Sequence, residues 1–151
     1  MLVAGVLLWL GAALQGAIAP RMGIFIARPD FLLIFLSVMC LHCTTAGATV
    51  LGFFAGLMMG APAGANLGAY IISRSVAGFV DGWIGVIGFQ PNLFWAAVNT
   101  AIVTVVAQLL LMFLAPQQGI TAFLAATIAS AVYNGVLAIP TYALLRRILS
   151  S

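Results

Sequence analysis

Residues 31–59 read FLLIFLSVMCLHCTTAGATVLGFFAGLMM, twenty-nine positions without a charge. As one helix at 1.5 Å per residue the stretch would be about 43 Å long, too long for a hydrocarbon core of about 30 Å without heavy tilt. Two short helices broken near HCTTAG (42–47) are the other solution. On this choice rests the helix count, because the rest of the chain divides cleanly. Apolar segments of membrane-spanning length run over Leu2 to Ala19, Leu67 to Phe89, Asn92 to Ala115 and Ile120 to Leu145. The chain therefore reads as an all-α polytopic membrane protein, one integral domain over 1–151, with six transmembrane helices, or five if 31–59 is unbroken.

Composition agrees with a bilayer setting. Of 151 residues 65% are hydrophobic and 5% are charged, against about 45–50% and 25% in soluble domains. The charged set is Arg21, Arg28, Asp30, Arg74, Asp81, Arg146 and Arg147, a formal net charge of +3. So few scattered cations make no nucleic-acid surface, which needs a clustered basic face. The first segment lacks the basic n-region of a cleaved secretory signal and is expected to be a retained span. Counting arginines by side ties a six-span arrangement with both ends cytoplasmic. Five spans with an external N-terminus would put Arg21, Arg28, Arg146 and Arg147 all inside.

Glycine falls at every fourth position from Gly52 through Gly56, Gly60 and Gly64 to Gly68. Lipid gives helices no hydrophobic reason to associate, so small residues four apart serve close backbone contact. Gly52, Gly56, Gly60 and Gly68 are accordingly candidate packing positions. Pro62 is expected to end the series, with APAGAN (61–66) as an exposed turn. Packing within the protein is the simpler use of the stripe, and docking of another protein's helix is the alternative. In the first span Gly5, Ala12 and Gly16 lie near one face and form a second, weaker small surface.

Polar residues inside the spans must face protein or water. Arg74 and Asp81, two turns apart, share a face with Gly78 and Gly85. They need partners, and Asp30 or a carbonyl group could serve Arg74. A proton or solute path and a buried polar staple are both compatible with the pair. Thr100, Thr104 and Gln108 form one stripe in the fifth segment, and Thr127, Ser130 and Asn134 another in the sixth. They could line a solute pocket or bond between helices.

Catalytic signatures do not emerge. Cys40 and Cys43 sit at i and i+3 around His42, the one histidine, but no second cluster completes a tetrahedral metal site. There is no nucleophile elbow, HExxH or phosphate loop. No enzyme, metal or cofactor is expected.

Three blocks carry a resemblance: RPDFLLIF (28–35), GFFAGLMMGAPAGANLG (52–68) and VYNGVLAIPTYALLRR (132–147). Their order and spacing resemble the rod shape-determining protein MreD family from end to end. At Gly60 the family commonly has Asp, so no role for that carboxylate is carried over. The resemblance implies six spans, both termini on the cytoplasmic side of the bacterial inner membrane, and a fold like the substrate-binding subunits of energy-coupling-factor transporters. It implies a non-catalytic scaffold that binds the single-span protein MreC and, through the complex, MreB, RodA and its transpeptidase partner. Gly5, Ala12, Gly16 and the corner Arg28, Pro29 and Asp30 are the candidate docking residues, Pro29 and Asp30 being suited to open a helix at the membrane surface. A solute-binding transporter subunit is the rival function, motivated by the polar stripes.

Overall fold

The computed structural model describes residues 2–88 and 90–150, with the backbone alone for 149 and 150. Six α-helices follow one another: α1 (Leu2–Ala17), α2 (Phe31–Cys40), α3 (Thr45–Ala63), α4 (Leu67–Val86), α5 (Leu93–Leu114) and α6 (Ile120–Ser150), with a 3-10 turn at Ala19–Arg21. Among the described residues α3, α5 and α6 are long and apolar enough to cross a membrane. The protein is an all-helical, polytopic membrane protein.

The stretch 31–59 is broken. Helix α2 stops after Cys40, and Thr44 opens α3, its Oγ1 accepting from the Gly47 N–H at 3.3 Å. Threonine is a favoured N-cap because its hydroxyl satisfies an amide that has no partner within the helix. At ten residues α2 is about 15 Å long, half a bilayer core. Every residue from Leu32 to Cys40 is buried, and α2 packs against each of the other five helices. It is the central post of the bundle, and the continuous apolar core around it draws on all six helices.

The ends of the bundle follow from one cleft. Val3 and Ala4 of α1 line it together with Met39, His42, Cys43 and Leu145 of α6. The beginning of α1 and the end of α6 therefore lie at the same end of the bundle. Opposite-side termini, as five spans require, do not fit this arrangement.

Several boundaries differ from the sequence expectation. The first span ends at Ala17 rather than Ala19, where the chain tightens into the 3-10 turn. Helix α3 continues through Pro62 and ends after Ala63, at Gly64 in the left-handed region (φ +66°). A proline in the last turn loses one backbone bond but need not end a helix, and glycine supplies the left-handed residue that does. Helix α4 ends at Val86; the expected end, Phe89, lies outside the described residues. Asn92 caps α5, its Oδ1 accepting from Trp95 N–H at 2.7 Å, and α6 runs on past Leu145.

Candidate functional site

Helices α3 and α4 form an antiparallel pair in which backbone meets backbone. A Cβ built on Gly56 would sit 2.6 Å from the Ile71 Cα and from the Tyr70 carbonyl oxygen. One on Gly52 would lie 3.0 Å from Ser75 Cα and against the Arg74 carbonyl. At Gly60 it would meet the Leu67 and Tyr70 side chains. The contact is reciprocal: Gly78 of α4 lies against Ala48, and a Cβ on Gly82 would come within 2.7 Å of Thr45 Cα. Gly68 is a correction to the sequence expectation, since it is exposed in the first turn of α4 with nothing within 4 Å. The reason is that α3 ends at Ala63 and the chain turns away before Gly68.

The stripe is visible in α3, and its partners Gly78 and Gly82 are also four apart, in GFVDG (78–82), although of the two Gly78 alone stands out in the sequence, as sharing the face of Arg74 and Asp81. Gly135 of α6 and Gly11 of α1 play the same part against Ala97 of α5 and against Leu32 and Phe35 of α2.

Beneath this pair lies a connected polar network. Asp30 is the N-cap of α2: its Oδ1 accepts from Leu33 N–H at 2.9 Å, and its Oδ2 pairs with Arg74 of α4. The two side chains are 7% and 1% exposed. The Asp30 N–H donates to Asn134 Oδ1 at 3.0 Å, and Asn134 Nδ2 donates to Thr104 Oγ1 at 3.2 Å. The Thr104 hydroxyl donates to the Thr100 carbonyl, and the Thr100 hydroxyl donates to Ser37 of α2 at 3.1 Å. Asn99 Nδ2 reaches both Ser37, at 3.1 Å, and Asp81 Oδ1. One chain of hydrogen bonds thus runs from α6 through α2 and α5 to α4.

The segment entering α2 is held from three sides. Gln15 of α1 accepts from Phe31 N–H at 2.7 Å and donates to the Pro29 carbonyl. Arg28 N–H donates to Ser130 Oγ at 3.1 Å, and the Tyr133 hydroxyl donates to the Met22 carbonyl at 2.9 Å. Open helix N-termini are costly where water is scarce, so side chains take over the role of solvent. Arg28, Pro29 and Asp30 do lead into α2, with Asp30 as its N-cap, but as candidate docking residues they do not share one free surface. Only Arg28 is exposed; Pro29 and Asp30 are buried, Asp30 because a carboxylate that neutralises Arg74 must lie inside with it.

Of the remaining candidates, Thr127 and Ser130 are buried on α6, while Gln108 is only half-buried and takes no part in the network. Gly5 and Gly16 are exposed with nothing within 4 Å, and Ala12 between them packs partly against the core. His42 stacks on Tyr142, ring centroids 6.1 Å apart, and among the described residues no cluster of three His, Cys, Asp or Glu side chains is placed to hold a metal. Gln15, Ser37 and Asn99 are central here yet unremarkable in the sequence. The signal of Gln15 and Ser37 is isolation in an otherwise apolar helix, whereas Asn99 stands beside Thr100 at the head of the polar stripe of α5.

The family model described as rod shape-determining protein MreD matches residues 1–148, nearly the whole chain. The chain belongs to the MreD family. No curated protein and no solved structure matches it. Membership in MreD assigns the chain to rod-shape determination, and the match takes in every element described above, from α1 to the arginines at the end of α6. In this MreD chain the polar residues of the interior bond chiefly to one another.

Proposed function

We propose that the protein is a non-catalytic scaffold of the bacterial cell-elongation machinery. It sits in the cytoplasmic membrane with both termini cytoplasmic, docks an MreC-like single-span protein, and supports lateral peptidoglycan synthesis. MreB, RodA and its transpeptidase partner are reached through that complex. Family membership supplies the process.

The observation that carries docking is a contrast between two sets of glycines. Those of α3 and α4 are closed against each other, whereas Gly5 and Gly16 on α1 are open. Trp9, Val6 and Val3 are exposed on the same helix. An exposed helix with small residues is a face that a second membrane helix can approach closely. Of the polar stripes that would suit a solute pocket, Asn134 donates to Thr104, Thr104 to the Thr100 carbonyl and Thr100 to Ser37, which favours the scaffold over a solute-binding subunit.

Gly16→Leu tests the docking face. A Cβ at Gly16 has nothing within 4 Å, so membrane abundance should match wild type while recovery of the MreC-like protein falls. Undiminished recovery would place the docking surface elsewhere. Reporter fusions at both ends test the topology, and an external N-terminus would refute it.

A further inference from the structure

Asp81 and Asn99 present an unequal hydrogen-bond account. Both are fully buried, and Asn99 Nδ2 already donates to Asp81 Oδ1. Yet Asp81 Oδ2 and Asn99 Oδ1 have no protein partner. Both orphan atoms are acceptors if Asp81 is a carboxylate, and they belong to two groups already joined by one bond. A proton on Asp81 Oδ2 would turn that atom into a donor, and Asn99 Oδ1 is an unpaired acceptor on the very group already bonded to Oδ1.

Charge gives the same answer independently. Arg74 is matched by Asp30. An ionised Asp81 would be a second carboxylate for one cation, leaving net negative charge in the buried interior, where an unpaired charge is strongly disfavoured. Arg74 also keeps Nε and Nη1 without a protein partner, on the same helix. The elements packed on α4 are α2, α3 and α5. Toward Asp81 they bring Cys40 from α2, with Cys43 from the turn after it; helix α2 contains no basic residue, and α3 and α5 contain no titratable residue in their helices.

We propose that Asp81 is a proton-binding site, held as a neutral carboxylic acid in a two-bond ring with the Asn99 amide. The bound proton closes α4 onto α5. Its loss sets a carboxylate oxygen against the Asn99 carbonyl and loosens that contact.

Infrared spectroscopy of the purified full-length protein in nanodiscs tests the site. Wild type should show the C=O stretch of a protonated carboxylic acid, shifted by H/D exchange and absent from Asp81→Asn. That variant is shaped like the neutral acid and can keep both bonds to Asn99, so its melting temperature should equal that of wild type, with Asp81→Ala melting clearly lower. Absence of the acid band from wild type at neutral pH would overturn the proposal without any variant. So would an Asp81→Asn protein that melts as low as Asp81→Ala or fails to fold.

Discussion

Gly56→Ala is the sharpest test of the α3–α4 contact. The added methyl would lie 2.6 Å from Ile71 Cα and from the Tyr70 carbonyl oxygen, both backbone atoms that no rotamer change can move. Reaching ordinary contact at 3.4 Å requires the helices to part locally by about 0.8 Å. Interiors respond to such insertion with a cost of about 1–3 kcal/mol. The separation also weakens the neighbouring approaches at Gly52 and Gly78, and lipid supplies no hydrophobic force to restore them. Gly68→Ala is the matched control, since its methyl meets nothing and alanine favours the helix by about 1 kcal/mol over glycine. Thermal unfolding of both variants in one detergent should show Gly56→Ala well below wild type and Gly68→Ala at or above it. Gly56→Leu should drive the folded protein out of the membrane fraction altogether. Equal stability of Gly56→Ala and Gly68→Ala would refute the close backbone contact. Stable Gly56→Leu protein that no longer retains its MreC-like partner would move the docking face onto α3.

Arg74→Leu leaves the Asp30 carboxylate buried and unpaired and should cost about 3–5 kcal/mol; adding Asp30→Asn, which keeps a capping oxygen, should recover most of the loss in the same unfolding assay. Asn134→Leu removes the acceptor for Asp30 N–H and the donor to Thr104. Interhelical hydrogen bonds average about 0.6 kcal/mol in membranes, so the variant should insert normally and unfold about 1–2 kcal/mol more easily.

Much of this was legible because membrane folding imposes coarse constraints. Apolar length located α1, α4, α5 and α6 to within a few residues. The glycine period identified the close face of α3, and the expense of a buried arginine pointed from Arg74 toward Asp30. What stayed hidden depends on three-dimensional direction. Nothing in RPD distinguishes a surface corner from one drawn inward, because that depends on Gln15, Ser130 and Asn134 reaching it from helices distant in sequence. Gly68 continues the period of Gly52, Gly56 and Gly60, yet the turn at Gly64 separates it from their contact. Asn99 shows no period of its own; its importance comes from standing where Ser37 and Asp81 meet.

The enclosure of α2 has a consequence for how the chain is made. A helix of ten residues, covered on every side by its neighbours, has no lipid-facing surface with which to wait in the bilayer. Its capping residue Asp30 is neutralised by Arg74 and has its own N–H held by Asn134, which emerge from the ribosome more than forty and more than one hundred residues after Asp30. The polypeptide must therefore carry α2 as an unfinished segment, with an unpaired carboxylate and the N–H groups of Arg28 and Asp30 open, until α4 and finally α6 arrive. Closure of the bundle is a late event in biosynthesis, and a nascent chain that ends before α6 lacks the parts needed to complete it.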